Sequence, residues 1–270
     1  MTDFALANEV ALRLSIFVGL VAALALFQWW RPRRATGQGA RRTLTNIALG
    51  VVDTLALRVA FPVLAVELAW RWQASGHGLN GLPLWLALPL TLLLMDFAIY
   101  WQHRLMHTVP ALWRLHRTHH TDTHLDVTTA VRFHPLEILL SMGFKLALVL
   151  ALGAPALGVL MFELILSACA LFNHANIDLG SFDRPLRRVI VTPDMHRIHH
   201  SIRDRESHHN FGFALSVWDH WFGSHQSDPD GGHKAMRLGN TEFQSPRQLS
   251  VSGLLLNPFS AERDRATPDE

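Results

Sequence analysis

The stretch "LHRTHH", Leu115–His120, sets three histidines, His116, His119 and His120, into five positions. On a helix, residues three and four apart share a face. His119 and His120 therefore lie to either side of the line through His116, at roughly −60° and +40°. All three imidazoles then aim at one place. "MHRIHH", Met195–His200, repeats the arrangement with His196, His199 and His200, and "HRLMH" sets His103 and His107 four apart. Three separate segments thus offer imidazoles on one helical face, at or just beyond the ends of apolar runs. The chain is read as all-α: a multi-span transmembrane helical bundle with a cytoplasmic, helical, histidine-rich cap that holds a dimetal site.

One metal ion of ordinary coordination takes roughly four to six ligands, so eight imidazoles imply two ions. Imidazole suits Zn, Cu, Fe and Ni, and it must be neutral to bind. Unconnected surface histidines would explain one HxxxH, but not three boxes in order. His174, in "LFNHANID", is a candidate ninth ligand. His134, in "RFHPLE", is open between a ligand, a donor to one, and a helix-start residue before Pro135. His208 and His209, in "HHNFG", are weaker ligand candidates, and His77, His124, His220, His225 and His233 read as interfacial or surface residues. Asp96, Asp122, Asp194 and Asp219 are candidates to accept the outer N–H of ligating rings and fix their tautomers. An ordinary cap or loop role is equally open for each.

Composition narrows the class. The 270 residues include 17 histidines, with 49% hydrophobic and 17% charged residues, and a mean hydropathy of +0.16. That balance fits several spans joined to a sizeable polar part. The single cysteine, Cys169, excludes a disulfide framework and a thiolate metal site. A formal charge of +2, with basic residues in short loops, argues against a nucleic-acid partner. HExxH and GxSxG motifs are absent, and only one Glu-x-x-His pair (Glu206 with His209) occurs where a soluble carboxylate di-iron bundle needs two.

Residues 10–30 are apolar apart from Arg13 and a few small polar residues. At ~1.5 Å each they cross a ~30 Å hydrocarbon core. The acidic start and the lack of a small-residue cleavage site oppose a signal peptide, and Trp29 and Trp30 suit an interfacial belt. "RPRRATGQGARR" carries five arginines between Arg31 and Arg42. It reads as a cytoplasmic loop, and its Gly37-Gln38-Gly39 is no dinucleotide fingerprint. A second span is expected over 44–70, with Asp53, Arg58 and Glu67 facing other helices or the interface. A third is expected over 84–101, and runs 136–152 and 155–172, joined by "GAP", form a hairpin that enters the membrane and returns. This topology puts the boxes on the cytoplasmic face. The organisation is 1–89 for N-terminal spans and basic loop, 90–225 for the catalytic domain and 226–270 for a polar tail, whose end, "AERDRATPDE", is expected to be disordered.

With the boxes in hand, the chain resembles the fatty acid hydroxylase superfamily, also called the sterol desaturase family, of integral-membrane histidine-box di-iron oxygenases. The family order HxxxH, HxxHH, HxxHH reads here "HRLMH", "HRTHH", "HRIHH". "DFAIYWQHRLMH", "LWRLHRTHH", "HPLE", "FNHANI" and "NFGFALSVWDHWFG" match the surrounding text, over about residues 90–225. Asn210-Phe211-Gly212 and Trp218-Asp219-His220 depart from the family's Asn-Tyr-Gly and Trp-Asp-Arg, and His208 and His209 are atypical. The resemblance implies two iron ions, O₂ as cosubstrate, a lipid substrate hydroxylated or desaturated at an unactivated C–H bond, and electrons from a separate ferredoxin or cytochrome. It implies iron ligation by His103, His107, His116, His119, His120, His196, His199 and His200, with His174. Two other readings use the same histidines: a membrane zinc hydrolase, and a non-catalytic metal-binding or transport protein. The latter would place its ligands at mid-membrane or in low-complexity tracts.

Overall fold

A computed structural model describes residues 2–35, 39–61 and 63–261. It is helical, with no strand among the described residues and only isolated bridges such as Ile190 with Leu215. A short α1 (Thr2–Ala7) leads into α2 (Glu9–Trp30), then α3 (Ala40–Ala60) and α4 (Ala65–Gln73). The histidine-bearing part follows: α5 (Leu84–Thr108), α6 (Pro110–His120), α7 (Pro135–Leu152), α8 (Ala156–His174), α9 (Asp183–Leu186) and α10 (Pro193–His199). Three short helices close the chain: α11 (Asp204–Ser207), α12 (Val217–Trp221) and α13 (Val251–Leu256). Five helical stretches are long and apolar enough to cross a membrane: α2, the stretch from Ala40 to Gly81, α5, α7 and α8.

The bundle has a histidine end and a far end. α2, α5 and α8 run toward the former, where Gln28 Oε1 accepts the backbone N–H groups of Val127 and Asn176, each at 2.8 Å. α3 and α7 run away from it. At the far end small residues let the helices approach closely, as apolar helices in lipid require. Ala65 and Ala69 of α4 and Ala156 and Val159 of α8 pack with Met95 and Val149 in one buried cluster. At Gly158, an added Cβ would meet Thr91 of α5 at 3.0 Å.

The expected span over 44–70 is corrected. α3 stops at Ala60, Phe61 turns extended (φ −122°, ψ 97°) and a new helix begins at Ala65. Pro62 lacks an N–H and disfavours helical backbone at the residue before it, which accounts for the break; Pro62 itself lies outside the described residues. Nine residues of α4 rise only about 13 Å, and this helix packs on α7 and α8 at the far end. α5 continues past 101 to Thr108, so the first box occupies its last turns. The two runs joined by "GAP" are α7 and α8. Gly153 closes α7 in the left-handed region (φ 57°).

The segment expected as a polar tail packs back onto the box helices. Met236, Leu238, Phe243 and Leu254 are buried. Arg117 of α6, fully buried, donates Nε–H to Asn257 Oδ1 at 2.8 Å and NH2 to Ser260 O at 2.7 Å. Of the end expected to be disordered, residues 262–270 lie outside the described residues, as do residues 36–38 of the glycine-bearing loop.

Candidate metal centre

Four elements supply nine histidines to one place. His103 and His107 come from the end of α5, and His174 ends α8. α6 starts with Pro110 at its first position and ends at His120, with His116, Arg117, Thr118, His119 and His120 all buried. α10 begins at Pro193 behind Thr192, whose side chain accepts from Met195 N, and carries His196 and His199 before His200 at its cap. The nine rings sort into two groups. His103, His107, His116, His120 and His199 form one; His119, His174, His196 and His200 form the other. Within each group the nearest ring nitrogens all lie within 4.8 Å of one another, and every residue is buried.

The outer nitrogens fix the tautomers. His103 Nδ1 lies 2.8 Å from Phe211 O, His199 Nδ1 2.8 Å from His209 O, His119 Nδ1 3.0 Å from Arg132 O and His174 Nδ1 2.7 Å from Ala170 O. A carbonyl oxygen only accepts, so each of these Nδ1 atoms carries the proton and each Nε2 presents a lone pair. Yet His103 Nε2 sits 3.0 Å from His199 Nε2, and His119 Nε2 sits 3.0 Å from His174 Nε2. Two lone pairs at that distance repel unless a cation lies between them. In addition His107, His116 and His120 each bury an Nε2 that has no partner. The donor set therefore fits metal ions that prefer imidazole.

Burial, reinforced by the neighbouring imidazoles, holds His119, His120, His196, His199 and His200 well below the ordinary histidine pKa. Ring planes are packed as well: Phe133 stacks on His119 at 4.4 Å and 5°.

The four aspartates have other partners than the box imidazoles. Asp219 accepts Phe211 N and Gly212 N, each at 2.8 Å, and Ser224 Oγ at 2.7 Å. Asp96 accepts Trp218 Nε1 at 2.8 Å and the backbone of Ala214 and Leu215. Together they shape the 209–219 loop, whose carbonyls take His103 and His199. Asp122 accepts Arg42 at 2.6 Å (Nε) and 2.7 Å (NH2), and Thr129 Oγ1 at 2.9 Å. Burial would raise its pKa, but Arg132 and Arg42 outweigh burial and hold it low. Asp194 accepts Arg33 Nε at 2.9 Å and pairs with Arg197. Of the two roles left open for these carboxylates, the contacts are those of the cap or loop role. A buried carboxylate needs several donors at once, and backbone N–H groups and arginines supply them.

One carboxylate does reach a box, and it was not among the candidates. Glu137 Oε1 takes His116 Nδ1 at 2.7 Å. Its signal in the sequence was an acidic residue in the first turn of a span whose one other charged residue is Lys145. His134 stands outside both groups. Its Nδ1 accepts Leu136 N at 3.1 Å, capping α7, and its Nε2 faces Leu255 O. His209 contributes its carbonyl rather than its ring, whose Nδ1 faces Arg205 O. His208 is exposed, with its ring 5.9 Å from that of His107. His233, expected at the surface, is buried with Nε2 3.7 Å from Asp194.

A cavity of about 350 Å³ opens beside the centre. His103, His116, His119, His174 and His196 line one end, and Ile99, Met106, Phe133, Met142 and Leu166 belong to its largely apolar wall. It runs down between α2, α3, α7 and α8, away from the histidine end.

The fatty acid hydroxylase family model matches residues 88–224. This chain belongs to the fatty acid hydroxylase family. It is 30% identical to an ornithine lipid hydroxylase of Rhizobium tropici over 79% of this chain and 67% of that protein. It is 27% identical to the human alkylglycerol monooxygenase over 78% of this chain and 46% of the relative. A Delta(7)-sterol 5(6)-desaturase of Aspergillus fumigatus is 29% identical over 78% and 63%. The chain thus spans about two thirds of the first of these proteins and less of the other two. No solved structure matches it. Family membership makes it an oxidoreductase acting on lipids, and five apolar helical stretches make it an integral membrane protein.

Proposed function

We propose that this member of the family is a membrane-bound di-iron oxygenase that oxidises a lipid C–H bond with O₂ and electrons from a separate ferredoxin or cytochrome. The observation that carries the reading is the pair of lone-pair contacts, one in each histidine group, within nine buried imidazoles. His103, His107, His116, His120 and His199 would hold one iron, and His119, His174, His196 and His200 the other. Bound there, two irons supply the O₂ activation and redox capacity that side chains lack. The chain's own residues do the rest. Glu137 and four backbone carbonyls hold five rings in the Nδ1–H tautomer, with Nε2 inward. Arg132, itself bonded to Asn46 and Thr121, and the Asp96 and Asp219 loop hold three of those carbonyls, and the fourth, Ala170 O, belongs to α8 itself. The apolar cavity orients a lipid chain against the histidines and keeps water away from it.

Hydroxylation is favoured over desaturation, since the 30% identical relative is named a hydroxylase. A hydrolytic zinc site takes three protein ligands and keeps a position for water, which groups of five and four imidazoles do not resemble. The histidine end is assigned to the cytoplasmic face. Arg33 and Arg42 of the basic loop contact Asp194 and Asp122 there, and positive loops stay inside. Residues 90–225 form the catalytic unit in this reading. The test compares lipid extracts of a deletion strain and its parent by mass spectrometry. The accumulating lipid should be converted, with O₂ required, by membranes carrying the wild-type chain and not by those carrying His119→Ala. Conversion without O₂ would exclude the reading.

A further inference from the structure

We propose that Arg13, Lys145 and Glu163 anchor the acceptor-oxygen group of the lipid substrate, so that the carbon presented to the histidines is remote from that polar group. This rests on the lipid-oxygenase reading and names the substrate class it admits. All three residues line the cavity, at the end away from the centre. They come from three spans: α2, α7 and α8. Glu163 Oε2 takes Arg13 NH2 at 2.5 Å, and Glu163 Oε1 takes Lys145 Nζ at 2.5 Å. Glu163 and Lys145 side chains are 11% and 14% exposed and Arg13 31%, which places Arg13 at the mouth.

Charges at this depth are costly and rare, and where they occur they face cavities and mark substrate paths. A purely structural bridge would match donors to acceptors, and this cluster does not. Lys145 has three N–H donors and gives one, to Glu163. Arg13 has five and gives one to Glu9 and one to Glu163. Both Glu163 oxygens are taken. With Glu9 and Glu163 set against Arg13 and Lys145, the cavity end is neutral in sum, yet it is rich in unused donors, amid largely apolar walls. Such a place reads a carboxylate, ester or amide carbonyl, or phosphate, and rejects a bare hydrocarbon end.

Spacing sets the regiochemistry. Eleven residues of α8 separate Glu163 from His174, about 16 Å at 1.5 Å per residue, and eight of α7 separate Lys145 from Glu137, about 12 Å. An extended chain advances about 1.25 Å per carbon at bond lengths near 1.5 Å. The carbon beside the histidines then lies roughly ten to thirteen carbons from the anchored group. α2 packs on α8 while α3 packs on α7, and Arg13 and Leu57 face the cavity from the two pairs. Between them is the lateral way in from the bilayer.

The test is competition for labelled palmitate on the purified full chain in lipid nanodiscs, with unlabelled palmitate, methyl palmitate and hexadecane as competitors and metal content measured in parallel. Palmitate and methyl palmitate should displace the label at least about tenfold better than hexadecane. Lys145→Gln should weaken palmitate about tenfold with metal content unchanged, and Lys145→Arg should restore it; Arg13→Gln serves where Lys145→Gln does not fold. Hexadecane competing as well as palmitate, or Lys145→Gln and Arg13→Gln both binding palmitate as the wild type does, would overturn the proposal. A wild-type chain that holds no metal but still discriminates palmitate from hexadecane would sink the oxygenase reading and leave the anchor standing.

Discussion

At the scale of the residue, the centre depends on which nitrogen of each ring carries the proton. Glu137 sets this for His116, so Glu137→Ala should lower turnover by roughly 10–100-fold, as loss of a partner to a ligating histidine typically does, with Glu137→Gln milder because its amide oxygen still accepts. His134→Ala should keep its metal and lose only a helix cap. Equal metal loss in His134→Ala and Glu137→Ala, measured on purified protein, would contradict the roles given to both. Proton competition gives a second expectation. Unfolded histidines titrate near pH 6.5, whereas burial holds His119, His120, His196, His199 and His200 below that. The unfolded chain therefore binds more protons in this range. The stability these rings contribute is present above about pH 6.5 and lost as pH falls below it. Metal retention and the thermal midpoint should drop together between about pH 7 and 5, and a flat profile would count against neutral, buried ligands. The box histidines were legible from spacing because three- and four-residue offsets dictate a shared face. Their carbonyl partners were not, because Phe211, His209 and Arg132 act through backbone whose position no side-chain pattern records.

At the scale of the element, two devices hold the boxes. One is the α7–α8 hairpin, visible in the sequence as two apolar runs around "GAP". At Gly153 an added Cβ would fall 2.0 Å from His77 O, on backbone that glycine alone adopts readily. Gly153→Ala should cost at least about 1 kcal/mol and lower the thermal midpoint, while Gly143→Ala, whose added Cβ meets nothing within 4 Å, should be near neutral. The other is the 209–219 loop, in which Asn210 takes a positive φ of 58° and donates Nδ2–H to Met195 O and Gln226 O. Asp219→Ala removes the acceptor for Phe211 N and Gly212 N and should loosen the carbonyls behind His103 and His199, lowering turnover while metal stays bound. The break after Ala60 was the element the hydropathy reading missed. Apolar composition continues through residues 44–70, and only Pro62 marks the end of the helix.

At the scale of the whole molecule, the bundle and its cap are one construction. The basic loop reaches Asp122 and Asp194 beneath the boxes, and Arg117 ties α6 to the C-terminal segment. In a Cys169→Ser background, single cysteines at Ala35 and Asp228 should label from one face of the membrane and one at Ser75 from the other; Ala35 and Asp228 on opposite faces would overturn the topology. The all-helical class, the spans and the cap were legible because period and hydropathy are local properties. The cavity was not, since it arises where α2, α3, α7 and α8 meet. The central claim is that nine imidazoles make two metal sites, and it is tested most directly by metal analysis of anaerobically purified protein. The expected result is about two irons per chain, falling to about one in His107→Ala/His120→Ala and likewise in His196→Ala/His200→Ala, since each pair belongs to one group. A wild-type chain holding a single ion, or iron unchanged in both double variants, would contradict it.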